Sequence, residues 1–256
     1  MITTGVDLAA QPARTAVAVV DWRAAGAELT TLRLGNTDDE VVRLAHGSAR
    51  VGIDCAFGWP DEFVAYVAAH TRGEPPHPDL RGITGRRRLA YRETDRAIQS
   101  RTGRLPLSVS TDRLGLTAMR CADLLAAFAD AGDTVDRSGA TGRLVEVYPA
   151  AALRTWRVDV AGYKTDAAAR VRATANLLAA APWLTVSPEQ RGLMEASDDP
   201  FDAVVAALIA GAHAQGATHP VPPAEADRAR REGWIALPTG PLADLDPART
   251  AASTAG

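Results

Sequence analysis

Asp7 and Asp54 stand in one repeated frame: Gly5-Val6-Asp7-Leu8-Ala9 and, forty-seven residues later, Gly52-Ile53-Asp54-Cys55-Ala56. Each frame closes an apolar run that reads as a buried strand, with a Gly two places earlier on the same strand face. Neighbouring strands run ~4.8 Å apart, and paired catalytic metals sit ~3.5–4 Å apart, so carboxylates at adjacent strand ends can hold cations. An Asp often ends a strand simply by starting a turn. Two of them in the same frame make that the weaker account.

Other acids have the same potential. Glu146 lies in the middle of the apolar run Leu144-Val145-Glu146-Val147-Tyr148. A buried ionised carboxylate is costly unless it is paired, hydrogen-bonded or bound to metal. A half-exposed strand face is the competing account of Glu146. Asp199, just before Pro200, reads as a helix N-cap. Asp202, one turn further on, precedes Ala203, Ala206 and Ala210 on one helix face. Small residues there let a helix lie close on a sheet with its carboxylate toward the strand ends, although compensation of the helix dipole also explains an Asp in that turn. The five histidines (46, 70, 77, 213, 219) join none of these acids by spacing, and His213 reads as a residue near a helix end.

The elements that must position these acids follow from periodicity. Residues 2–9, Thr15 to Trp22 and Leu29 to Leu34 read as three strands with short connections, an antiparallel meander. Asp38 to His46 has helical spacing, with Asp38 or Asp39 as N-cap. Val51 to Ala56 then joins the sheet by a crossover, parallel to its neighbour. Pro60 opens a helix over Asp61 to His70. Residues 72–112 read as an insertion carrying one short helix, about Arg88 to Arg101. Leu116 to Ala131 forms an amphipathic helix with Met119, Leu124, Leu125 and Phe128 on its apolar side. Leu144 to Tyr148 is a fifth strand. Ala150 to Trp156, Asp166 to Ala181 and Pro200 to Ala214 are helical, and Glu232 to Pro238 is a late edge strand. One domain over 1–240 and a disordered tail over 241–256 are expected.

Composition sets outer bounds. Across 256 residues, 46% hydrophobic and 23% charged content is that of a soluble globular chain. The net charge of −3 gives no whole-molecule reason for nucleic-acid binding. Locally the balance differs: between Arg81 and Arg104 eight arginines (81, 86, 87, 88, 92, 96, 101, 104) face two acids, Glu93 and Asp95. Such a strip can track phosphates, or it can be a solvated loop enriched in Arg. Arg92 and Asp95, three apart, share a helix face. Lys164 is the only lysine, either facing a phosphate or lying on the surface ahead of the Asp166 helix. Cys55 and Cys121 form no metal spacing or disulfide framework, which fits a reducing cytoplasm. Residues 1–20 lack a basic leader followed by an apolar core, and no apolar run reaches the ~20 residues needed to span a bilayer.

The meander, helix and parallel strand, with acids on strands one and four and on a late helix, resemble the ribonuclease-H-like fold. More narrowly, Gly-Val-Asp-Leu-Ala, Ile-Asp-Cys-Ala-Phe-Gly-Trp-Pro, Tyr91-Arg92-Glu93-Thr94-Asp95, Glu146-Val147-Tyr148-Pro149, Tyr163-Lys164-Thr165 and Asp202-Ala203 are similar to one family. It is catalogued as domain of unknown function 429 and described as predicted nucleases. The likeness covers about residues 2–238. It implies an α/β, ribonuclease-H-like mixed five-stranded sheet, three antiparallel strands then parallel ones, flanked by helices with the insertion. It also implies a metal site of Asp7, Asp54 and Asp202 with Glu146 as a fourth catalytic acid. Two Mg²⁺ (or Mn²⁺) ions there would drive phosphodiester hydrolysis, magnesium being favoured over zinc because every ligand is a hard oxygen. Arg88, Arg92, Asp95 and Lys164 are then the residues that bind substrate or brace the site, and nucleic acid is the expected partner. Two other classes stay open: a non-catalytic nucleic-acid or protein-binding module, and an actin-like or sugar-kinase-type phosphotransferase. The latter needs a duplicated domain with its own glycine-rich phosphate turn, and no such repeat occurs.

Overall fold

A computed structural model describes residues 1–249 of the chain. The first apolar run forms β1 (Ile2–Asp7), whose residues alternate between two sheet faces. It pairs antiparallel with β2 (Ala16–Arg23), which pairs antiparallel with β3 (Gly26–Leu34). Helix α1 (Asp38–Leu44) crosses over to β4 (Arg50–Asp54), which is parallel to β1. Four helices follow: α2 (Asp61–Thr71), α3 (Gly82–Ala90), α4 (Glu93–Thr102) and α5 (Gly115–Asp130). Then β5 (Leu144–Glu146) adds parallel to β4. The rest is α6 (Pro149–Thr155), α7 (Ala167–Ala180), β6 (Leu184–Thr185), α8 (Pro188–Ala196), α9 (Asp198–Ala214) and α10 (Ala226–Glu232). The result is an α/β fold with a mixed six-stranded sheet in the order β5-β4-β1-β2-β3-β6, flanked by helices.

Each sheet face has its own core. Val6, Val17, Val51 and Ile53 pack with Val41 of α1 and with Leu124, Leu125 and Phe128 of α5. On the opposite face Val20, Trp22 and Leu29 pack with Phe201, Leu208 and Ile209 of α9. Each such side chain, taken fully out of water, stabilises the fold by about 1.5–3 kcal/mol. Helix α9 is buried along nearly its whole length, and its stripe of alanines lies on β1 and β4.

Several expectations need correction. The sheet has six strands, not five; β6 is two residues long, too short for any period to register. The expected edge strand over 232–238 is reduced to single bridges, Ile235 to Glu146 and Pro238 to Thr218. The insertion carries two helices, α3 and α4, broken at Tyr91–Arg92. The N-cap of α1 is Thr37, in a capping box with Glu40, and that of α9 is Ser197, two residues before Asp199. Met119 is 59% exposed and turns away from the core that Leu124 and Phe128 enter. Helices α8 and α10 were not expected, although Ser187-Pro188-Glu189-Gln190 is a legible capping box. Leu242 and Leu245 are buried in the larger core, so the ordered chain runs past the start of the expected tail; residues 250–256 lie outside the described residues. No described helix is long and apolar enough to cross a membrane.

Candidate metal centre

The two G-x-D frames meet in register. Gly5 pairs with Gly52 and Asp7 with Asp54 along the parallel β1–β4 ladder. On this face Thr3 donates to the Ala207 carbonyl at 3.0 Å, so Gly5 and Asp7, at the same parity, also face α9. A Cβ on Gly5 would lie 2.1 Å from Ala203 O and Ala207 N, and one on Gly52 would lie 2.7 Å from Ala206 O. Only hydrogen at both positions lets the α9 backbone settle there. That settling carries Asp202, one turn into α9, to the strand ends.

One carboxylate oxygen from each of Asp7, Asp54 and Asp202 then falls within 4.8 Å of the others. Mutual repulsion adds to burial. Burial and then Asp202 and Asp54 hold the Asp7 carboxyl well above the ordinary range. Burial and then Asp202 push Asp54 up to about 8. Among the described residues no hydrogen bond or salt bridge engages the carboxylate of either Asp7 or Asp54. Asp202 differs, because both its oxygens are engaged. Tyr163 donates its hydroxyl to Oδ1 at 2.8 Å, and Lys164 Nζ lies 2.7 Å from Oδ2. Burial pulls the Lys164 ammonium down in pKa, but Asp202 more than offsets this, with Asp54 and Asp7, and keeps it protonated. Lys164 is therefore neither unpaired nor a plain surface residue; its ammonium belongs to the acid cluster.

Glu146, expected as a fourth acid of the cluster, is instead ion-paired. Arg92 donates from Nη2 to Oε1 at 2.7 Å and from Nη1 to Oε2 at 2.9 Å. The Phe57 backbone N–H donates to Oε2 at 2.9 Å. Arg92 also grips Asp95 Oδ1 at 2.9 Å and the Glu232 carbonyl at 3.0 Å, all out of solvent. Of the two roles read for Arg92 and Asp95, these contacts are those of a brace. They tie β5, the loop after β4 and the start of α4 to one guanidinium. Gly233 makes room for this knot, since a Cβ there would lie 2.4 Å from Glu146 Oε2. Arg88 lies elsewhere, exposed and 3.8 Å from Glu62.

A cavity of about 480 Å³ opens over the cluster. Asp7, Asp54 and Lys164 line it together with Arg104, Arg113, Leu107 and Leu114. Arg104 donates to the Tyr148 hydroxyl at 3.0 Å. Neither arginine stood out from its neighbours in a chain this rich in Arg. Arg120 was missed as well: it binds Asp38 Oδ1 at 2.7 Å and the Ala9 carbonyl at 2.7 Å, fixing the chain just beyond Asp7. His213 accepts from Arg50 at 3.2 Å, and burial lowers its pKa to about 4, away from the acids.

These residues fit a hard divalent cation. The donors are carboxylate oxygens, two of them without a protein partner, and their spacing is comparable with the ~4.2 Å that separates opposite ligands of a Mg²⁺ ion bound at ~2.1 Å. The molecule is thus of the class of α/β proteins that gather carboxylates at the ends of neighbouring sheet strands. The chain belongs to the family described as protein of unknown function (DUF429), whose model matches residues 5–227. No curated protein and no solved structure matches the chain.

Proposed function

We propose that this chain is a divalent-cation-dependent hydrolase of phosphodiester bonds, a nuclease built on a ribonuclease-H-like sheet. The observation that carries the reading is the register pairing of Asp7 with Asp54 beneath Asp202. The strand arrangement supports it, since an antiparallel β1-β2-β3 meander continues through parallel β4 and β5 on the far side of β1, as the family resemblance implies.

Asp7, Asp54 and Asp202 would hold Mg²⁺ or Mn²⁺. A bound cation supplies Lewis acidity, lowering the pKa of an attacking water and neutralising charge on the leaving oxygen. The protein's own part is orientation and charge. Arg104 and Arg113, which line the same cavity as the acids, attract a phosphate into it. Tyr163 and Lys164 fix the rotamer of Asp202, and the Arg92–Glu146–Asp95 knot holds β5 beside β4. Nucleic acid is the partner this reading names.

The experiment is cleavage of labelled single- and double-stranded DNA and RNA with Mg²⁺ or Mn²⁺. Asp7→Ala and Asp54→Ala should abolish cleavage while circular dichroism stays native. Full activity in both variants removes the proposal. Salt-dependent binding without turnover would favour a non-catalytic module on the same fold.

A further inference from the structure

Asp202 engages Lys164 Nζ at 2.7 Å through Oδ2 and the Tyr163 hydroxyl at 2.8 Å through Oδ1. Lys164 is 49% exposed and lines the same cavity as Asp7 and Asp54, so its ammonium sits on the open side of a buried carboxylate. Paired-ion sites need a carboxylate with free oxygens to share between two cations ~3.5–4 Å apart. Here one oxygen of Asp202 already carries a cation, and that cation lines the cavity.

Charge leads the same way. Three carboxylates and one ammonium leave a net charge of −2, which one divalent cation neutralises and two would invert to +2. Glu146 cannot restore the balance or lend an oxygen, because Arg92 and the Phe57 N–H hold both of its oxygens. Without the ammonium, two cations would leave only +1, which a single phosphate diester offsets.

We infer that Lys164 is a built-in replacement for one of two metal ions, so that the site takes a single divalent cation between Asp7 and Asp54. The inference rests on the metal-site reading above and refines the ion count that the family resemblance implies. Lys164 then acts as a positioning residue through Asp202 and meets the phosphate as a fixed positive charge.

Two measurements test it without any turnover. Mn²⁺ bound per chain is counted by electron paramagnetic resonance, with thymidine 5′-monophosphate in excess to offer a phosphate oxygen to any second ion. The wild type should bind about one ion, Lys164→Ala about two, and Lys164→Arg, which restores the charge, about one again. Because Lys164 is the only lysine, ¹³Cε-lysine labelling gives one side-chain signal. Saturating Mg²⁺ should leave that signal at its protonated position while Mn²⁺ broadens it. About two ions in the wild type, or no gain in Lys164→Ala, overturns the inference and leaves the metal site standing. No bound Mn²⁺ in the wild type, or binding unchanged in Asp7→Asn/Asp54→Asn, overturns both.

Discussion

Gly5 lies so close to α9 that a Cβ on it would stand 2.1 Å from the carbonyl oxygen of Ala203. Backbone is the obstacle, so no rotamer change relieves the clash. Gly5→Ala should destabilise the protein by about 3 kcal/mol or more, at the upper end of overpacking effects, because a helix must move. The shift should also carry Asp202 away from Asp7, so the surviving folded fraction binds Mn²⁺ at least about tenfold more weakly. Chemical denaturation with a parallel Mn²⁺ titration checks both, and a Gly5→Ala variant with native stability would show that α9 does not bear on β1.

Asp7 and Asp54 are an unpaired carboxylate couple, and their removal should separate function from stability. Asp7→Asn or Asp54→Asn replaces a carboxyl whose ionisation is opposed by burial and by its acidic neighbours with a neutral amide, so the metal-free variants should melt at or above the wild-type temperature. Cleavage should fall about a thousandfold or more, the several kcal/mol that a missing metal contributes. Differential scanning calorimetry beside a nuclease assay reads the two effects. Loss of both stability and activity would instead mark the pair as structural.

Arg92 should behave in the opposite way. Its guanidinium neutralises Glu146 and Asp95, both buried, so Arg92→Ala leaves two uncompensated charges. Breaking a buried ion pair from one side costs about 3–5 kcal/mol. Urea denaturation should register that loss. Arg92→Lys should recover only part of it, since an ammonium cannot reproduce the two forked contacts.

The acid cluster sets a pH dependence. Asp54, pushed up to about 8, keeps a proton that the unfolded chain releases near pH 3.9. The folded state therefore binds more protons across that window, and stability falls as pH rises toward 8. His213, lowered to about 4 by burial and then by Arg50, acts in the other direction; because the unfolded imidazole is still half protonated near pH 6.5, its contribution fades out only about one pH unit higher and offsets part of the fall until then. Between pH 6.5 and 8 the metal-free protein should lose at most about 1.4 kcal/mol per pH unit for each proton retained. Asp54→Asn should lessen the slope, and saturating Mg²⁺ should remove it by competing with the protons. A wild-type stability that rises over this range would contradict the arrangement.

The amino-acid sequence by itself determined the strands that end on Asp7 and Asp54, the helix that carries Asp202, and their membership in one family. Those features are local: a period of two or 3.6, a Gly two places before an Asp, a row of alanines beside a carboxylate. Tertiary structure decided what each charge is for. Glu146 and Arg92 are 54 residues apart in the chain and meet only because β5 is brought beside the start of α4. The same folding takes Arg92 out of the arginine strip and places Lys164 on Asp202. A side chain's role as ligand, brace or counter-charge depends on the partner that folding brings within about 3 Å, and that partner is written in no local pattern.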